Sequence, residues 1–186
     1  MMSRHQIGNI VSVIYSAIRF SFLKIFTGER IKSTIIERIS PNVVIDIDKK
    51  SKLILGNKVR IHSGSRITAA NGGIVEIGDN VRINNNCRIA CRDHIVISEG
   101  VEFGPGVLIY DHDHKFSAER GVASKDYSTA PVTIGKKSWI GANTIILRGT
   151  KIGENCVIGA GSVIKGEFSD NTLVYQERTT KTKGIE

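Results

Sequence analysis

An aliphatic residue recurs at every sixth position through the C-terminal part of the chain: Ile134, Ile140, Ile146, Ile152, Ile158 and Ile164 follow without a miss. Four places after each of the first five stands a small or compact residue: Ser138, Thr144, Thr150, Cys156 and Ser162. Glycine follows the aliphatic at Gly135, Gly141, Gly153 and Gly159. The same register runs upstream through Leu55-Gly56 with Val59, Ile61 with Ser65, Ile77-Gly78 with Val81, Ile83 with Cys87, Ile97 with Val101 and Phe103-Gly104 with Val107. A period of six matches neither the 3.6 of a helix nor the 2.0 of an ordinary amphipathic strand. It fits a prism of short flat strands with a turn after each, in which every coil buries the apolar face of its neighbour. The aliphatic then points inward from a face, and the small residue points inward near a corner. Gly56-Asn57, Gly78-Asp79-Asn80, Asn84-Asn85-Asn86 and Glu154-Asn155 read as turns whose residues take positive φ. A β-sandwich would space its turn signals more widely and less evenly. The expected fold is mainly β, a parallel β-helix.

The pattern divides the chain into residues 1–38, a repeat body over 39–170 and a tail over 171–186. In the first segment Ile7, Ile10, Val11, Ile14, Ile18, Phe22 and Ile25 lie on one helical stripe, and Arg4, Arg19, Lys24 and Arg30 make it basic. Its longest uncharged run, Gln6 to Ile18, is shorter than the roughly 20 residues of a membrane span, and no small-residue cleavage site follows it. Two readings stand: a helix that caps the open end of the solenoid, or an interfacial helix, over residues 5–26, attached to the inner face of a membrane. Ala70-Asn71-Gly72-Gly73 and Arg92-Asp93-His94 add residues between repeats and read as small corner loops. The largest break, residues 110–132, reads as a loop extruded from one corner, the usual place for function. The tail loses the period.

At 186 residues with a net charge of +8, the chain suits a single domain whose basic surface attracts an anion such as a nucleotide phosphate, an acidic glycan or an anionic lipid. No basic-aromatic motif for nucleic acid is present. Cys87, Cys91 and Cys156 do not pair evenly and have no zinc spacing; Cys87 and Cys156 fall on inward positions, so a reduced, cytoplasmic setting fits.

The chemistry-bearing residues gather in the long break, as Tyr110-Asp111-His112-Asp113-His114. Histidine titrates near neutral pH, and an adjacent carboxylate can fix its tautomer and stabilise the imidazolium. A polar turn or a metal site would use the same residue types. His5 lies in the helical segment, His62 follows an inward Ile61 and points out, and His94 sits in a corner loop. Trp139, the single tryptophan, is placed outward on a face.

The repeat, with Ala130-Pro131-Val132-Thr133-Ile134-Gly135, Trp139-Ile140-Gly141-Ala142-Asn143 and Val157-Ile158-Gly159-Ala160-Gly161-Ser162-Val163, resembles the hexapeptide-repeat acyltransferases over roughly residues 42–170, in particular the galactoside, maltose and polysaccharide O-acetyltransferase branch. That resemblance implies a left-handed β-helix, a homotrimer with sites between subunits, and acetyl-CoA as acyl donor with no metal. It implies a base histidine in the break: His112 when the Asp-His pairs are matched, His114 when residues are counted without a gap, with Asp111 and Asp113 beside them. Trp139, Tyr110 and Asn86 become candidate acceptor contacts. Trp139, Ala142, Ala160, Lys165 and Arg178 become candidate coenzyme A contacts. The tail carries Leu173-Val174-Tyr175-Gln176-Glu177-Arg178 where many relatives have a Gly-x-Pro-Ala type segment. The implied activity is O-acetylation of a sugar hydroxyl, in a capsule, lipopolysaccharide O-antigen or their precursors. The alternatives are N-acylation of a nucleotide sugar, and a non-catalytic or metal-binding β-helix of the carbonic anhydrase type.

Overall fold

The computed structural model describes residues 4–34 and 37–183, without the side chains of residues 4–9, 24, 123 and 124. The contributions of Arg4, His5, Ile7 and Lys24 to the helical segment therefore lie outside the described side chains. Behind a helix, α1 (Arg4–Thr27), the chain winds into three parallel sheets of seven, seven and six strands. Each coil lays one short strand on each sheet in turn, so strands that are neighbours in space are one whole coil apart in sequence.

The six-residue period is the width of one face plus its turn. In the second sheet Ile39, Ile61, Ile83, Phe103, Ile140, Ile158 and Val174 pair in one column. In the third, Ile45, Ile67, Ile89, Ile109, Ile146 and Ile164 do the same. Apart from half-buried Ile45 and Val174, these columns are buried, and their stacking forms one continuous apolar core. The coils from Ile134 to Ile152, Ile140 to Ile158 and Ile146 to Ile164 have the ideal eighteen residues. Earlier coils are longer, twenty-two residues from Leu53 to Val75 and twenty from Val75 to Ile95, because the corners carry the extra residues.

The small corner positions are Ser138, Thr144, Thr150, Cys156 and Ser162, all buried. The hydroxyls of the four Ser and Thr explain why the repeat prefers them: Ser138 donates to the Gly153 carbonyl at 2.9 Å and accepts from the Cys156 N–H at 3.0 Å. A corner is where a strand ladder lapses, and these hydroxyls satisfy groups the ladder leaves unpaired.

The glycines that follow the aliphatic residues act differently from the expectation. Gly56, Gly78, Gly135, Gly141, Gly153 and Gly159 do not have positive φ; the left-handed turn positions fall to Asn80, Asn86, Asn143, Asn155, Asn171 and Lys58 among others. At Gly141 a Cβ would lie 2.5 Å from the Ala160 nitrogen, and at Gly104 one would lie 2.6 Å from the Ala142 nitrogen. Glycine recurs there because the next coil's backbone passes too close for a side chain.

α1 caps the first coil, but not with its aliphatic stripe. Ile10, Val11, Ile14, Ile18, Phe22 and Ile25 are all exposed, whereas Ser16 and Phe20 are buried against the solenoid. The Ser16 hydroxyl accepts from the Ile39 N–H at 2.9 Å and donates to the Ile39 carbonyl, and Arg19 donates to the Val43 carbonyl at 2.8 Å. An open solenoid end presents strand-edge N–H and C=O groups, so polar side chains are what the capping face needs. Gln6 to Ile18 is also too narrow a window for judging a span: Ile10–Arg30 is 21 residues of mean hydropathy 1.5, enough by length and composition to cross a membrane.

At the other end the tail keeps one more strand. Leu173–Val174 pairs with Val157–Ile158, the final coil having shortened to sixteen residues between Ile158 and Val174. That shortening removes the six-residue register from the sequence. Beyond it the Gln176 amide accepts from the Val163 N–H at 3.0 Å and donates to its carbonyl at 2.8 Å, standing in for the absent next strand.

Candidate functional site

The break at 110–132 is a β-hairpin, His112–Ser117 against Gly121–Thr129, that leaves the solenoid at the corner between the third and first sheets. The coil resumes in register, with Ile95 opposite Val132 and Ile97 opposite Ile134. The Ala130 N–H donates to the Asp111 carbonyl at 2.9 Å and closes the root of the hairpin.

Asp111 is fully buried at that root. Its carboxylate accepts from the Arg92 N–H at 2.8 Å and the Asp93 N–H at 2.8 Å, both from the corner of the preceding coil. It also lies 2.9 Å from Nδ1 of His112. Burial pushes the Asp111 carboxyl up, but hydrogen bonds from His112, the Asp93 N–H, the Cys91 thiol and the Arg92 N–H outweigh it and hold the carboxyl below its ordinary value. The carboxylate stays ionised and fixes the His112 ring with its proton on Nδ1. In the neutral imidazole Nε2 then carries the lone pair, and among the described residues it makes no hydrogen bond. Burial first, and the neighbouring Asp111 second, push the Cys91 thiol far up, so it is an unreactive core thiol.

His114, two residues on, is exposed and rests against the Tyr127 ring with centroids 4.5 Å apart. Tyr127 also meets the His112 ring edge-on at 5.4 Å, and the Arg92 guanidinium lies 3.6 Å over its face. Asp113 turns away from both histidines and pairs with Arg148, with 2.5 Å between Nε and Oδ2. Tyr110 is half-buried, its ring 6.4 Å from that of His112. The structure thus groups Tyr110, Asp111, His112 and His114 and adds Arg92, Tyr127 and Arg148, none of which the sequence singled out. A signal for Arg148 existed: Ile146 pairs with Ile109, so Leu147-Arg148 occupies the corner one coil beyond Tyr110-Asp111.

The remaining candidates lie elsewhere. Asn86, Ala142, Ala160 and Arg178 line the corner between the second and third sheets, where Arg178 donates to the Gly161 carbonyl. Ala142 and Ala160 follow the close-approach glycines, and their N–H groups donate to no acceptor among the described residues. Trp139 is exposed on the second sheet, between Glu102 and Val157. Lys165 is exposed in the hairpin's own corner, two coils further on. Within one chain the histidine corner and the alanine corner are thus separated by the width of the third sheet. His94 is the first residue of strand His94–Ile97, not part of a corner loop; its register opposite Ile74 places it 2.7 Å from Glu76. His62, His94 and His112 fall on different sides of the prism. Among the described residues no group of three or more His, Cys, Asp or Glu is arranged to hold a metal ion.

Residues 131–166 match the family of bacterial transferase hexapeptides (six repeats). The chain is 31% identical over 119 residues to a putative lipopolysaccharide biosynthesis O-acetyl transferase, WbbJ, of Escherichia coli (strain K12), covering 60% of this chain and 61% of that one. A maltose O-acetyltransferase of Clostridium difficile 630 superposes with a TM-score of 0.55 at 30% identity, over 71% of this chain and 69% of that one. The N-acyltransferase AntD of Bacillus cereus, solved with coenzyme A and an amino-sugar nucleotide, shares the fold at a TM-score of 0.67 and 20% identity, over 90% and 89% of the two chains. The chain spans about half to three fifths of the length of the first curated relatives it matches.

Proposed function

The chain belongs to the hexapeptide-repeat acyltransferase family, and from that membership we propose that it is an acetyl-CoA-dependent O-acetyltransferase acting on a sugar hydroxyl of a cell-surface glycan or its precursor. The observation that carries the reading is the buried Asp111 carboxylate holding His112 through Nδ1 at 2.9 Å, with Nε2 making no hydrogen bond among the described residues. In this mechanism Nε2 takes the proton of the sugar hydroxyl as its oxygen attacks the thioester carbonyl carbon. Asp111 stabilises the imidazolium that forms. The tetrahedral oxyanion is held by a backbone N–H, for which Ala142 and Ala160 are the candidates. Collapse breaks the C–S bond, and the thiolate takes the proton back from Nε2 as free coenzyme A leaves.

The alanine corner suits the pantetheine arm, because Ala142 and Ala160 are small and their N–H groups donate to no acceptor among the described residues. Lys165 and Arg178 are the candidates for the coenzyme A phosphates, and Trp139 for packing against donor or acceptor. Since one chain holds the histidine and alanine corners apart, the complete site is proposed to form between neighbouring subunits of a homotrimer, the histidine corner of one facing the alanine corner of the next. Three buried free thiols, Cys87, Cys91 and Cys156, fit a reducing, cytoplasmic setting. His114, exposed and stacked on Tyr127, is assigned to acceptor orientation, and Asp113 to anchoring the hairpin through Arg148.

Thiol release from acetyl-CoA, measured against a panel of free sugars, amino sugars, lipid-linked glycans and polymers, tests the reading. Glycan-dependent release with an ester product is the expected result. Release with amino sugars alone, giving an amide, would reassign the acceptor to an amine. Absence of both release and coenzyme A binding would overturn acyl transfer.

A further inference from the structure

The acyl-transfer reading leaves an exposed apolar stripe on α1 without a role. Along the outer face of α1, Ile14, Ile18, Phe22, Ile25 and Phe26 are between 54% and 76% exposed, while the opposite face is tied to the first coil through Ser16, Arg19 and Phe20. A contiguous stripe of this kind on a soluble surface marks a docking site. The charge of the chain identifies what docks. Residues 1–60 hold eleven of the 26 Lys and Arg and four of the 18 Asp and Glu, a net of +7; residues 61–186 hold the other fifteen and fourteen, a net of +1. Nearly all of the excess positive charge thus belongs to α1 and the coils beside it. Exposed Lys32, Lys49 and Lys50 lie on the first coil, on which α1 packs, and exposed Lys52 opens the second.

We propose that the outer face of α1 docks this end of the solenoid onto an anionic lipid bilayer, with the helix lying in the interface plane. An apolar face flanked by lysine and arginine is the combination that binds there, apolar burial and attraction to acidic headgroups acting together. A second copy packed stripe to stripe would bring two +7 ends together, which anionic lipid instead neutralises. A transmembrane orientation would pull Ser16 and Arg19 away from the strand-edge groups they satisfy and into hydrocarbon, so the helix lies on the bilayer and does not cross it. Docked this way, the Asp111–His112 pair stands away from the surface. Its strand, Leu108–Tyr110, is the fourth from the capped end of the third sheet, three spacings of about 4.8 Å, or roughly 15 Å, from the first.

Co-sedimentation of the full chain with vesicles tests the proposal independently of any acyl transfer. Binding is expected to vesicles of phosphatidylcholine with about one third phosphatidylglycerol, roughly tenfold weaker to phosphatidylcholine alone, and weakened by raised salt. Ile18→Glu with Phe22→Glu is expected to lower the partition coefficient about tenfold or more on both vesicles, without a change in Tm because both side chains are outside the capping face. Lys49→Glu with Lys50→Glu is expected to weaken binding to the anionic vesicles only. The Gln versions of the stripe pair repeat the measurement if the Glu versions fail to fold. No binding of the unaltered chain to anionic vesicles overturns the proposal, as does binding that the stripe substitutions leave unchanged. A lipid-free oligomer that those substitutions dissociate, with no vesicle binding, would overturn it in favour of a second copy.

Discussion

Two corners of the same prism solve the problem of turning the chain in different ways. Between the second and third sheets backbone-to-backbone bonds link one corner to the next: Gly106 donates to the Asn85 carbonyl, Asn143 to Pro105 and Gly161 to Ala142, at 2.7–2.9 Å. Each coil there reads the one beneath it, which requires left-handed residues such as Asn86 and Asn143 and close-approach glycines such as Gly141. Between the third and first sheets the chain departs into a hairpin: one coil earlier the Ala70 N–H donates to the Cys91 carbonyl, but the matching Asp111 carbonyl accepts from the Ala130 N–H of the hairpin root instead. The Asp111 carboxylate takes its place, accepting from Arg92 and Asp93. The residue that repairs the break in the solenoid is therefore the residue that orients His112. One carboxylate thus both closes that corner and positions a histidine, whereas at the other corner the Ala142 and Ala160 N–H groups donate to no acceptor among the described residues.

That contrast can be broken most strongly at the histidine. His112→Ala is expected to lower turnover about 10²–10⁴-fold with little change in Tm, whereas His114→Ala lowers it no more than a few-fold; steady-state thiol release decides between them. Equal losses would mean that the Asp111 contact does not select the base. Next is Asp111→Asn, expected to cost about 1–3 kcal/mol of stability at neutral pH in denaturant unfolding, and to lower turnover as well. Its pH signature follows from the sign of the shift. A carboxyl held below its unfolded value stabilises the fold above about pH 4, and loses that contribution as pH falls through its folded value. Asp48 behaves alike: a hydrogen bond from Ser51, opposed by burial and helped by the Asn71, Lys50 and Ser51 N–H groups, holds it at about 2. Tm should therefore fall between about pH 4 and 2, and less steeply in Asp111→Asn.

At the corner between the second and third sheets, Gly141→Ala drives a methyl into the Ala160 backbone and is expected to cost about 1–3 kcal/mol; a neutral result would mean that the coils can separate there. The smallest effect is expected from Arg148→Ala, about 0.5 kcal/mol for a part-exposed pair with Asp113, visible as faster exchange of hairpin amides before it is visible in Tm.

The coil columns, the inward small residues, the exposed position of Trp139 and the corner from which the hairpin springs were all legible in the sequence, because a solenoid makes its long-range contacts at a constant sequence offset. Knowing the period is then nearly the same as knowing the neighbours. Where that offset fails, the sequence loses its hold. Coils of twenty-two and twenty residues hid the strand position of His94, and the sixteen-residue final coil hid the strand at Leu173–Val174. The stripe on α1 was visible as a stripe, yet its direction was not. A 3.6 periodicity says which residues share a face, and only the unpaired strand edges of the first coil decided that Ser16 and Arg19 turn inward while Ile18 and Phe22 turn out. Likewise Asp111-His112-Asp113-His114 announced histidine and carboxylate chemistry, but alternation along the sequence treats both Asp-His pairs alike. Tertiary structure separated them, by supplying two corner N–H groups that bury Asp111 beside His112 and an arginine that draws Asp113 away.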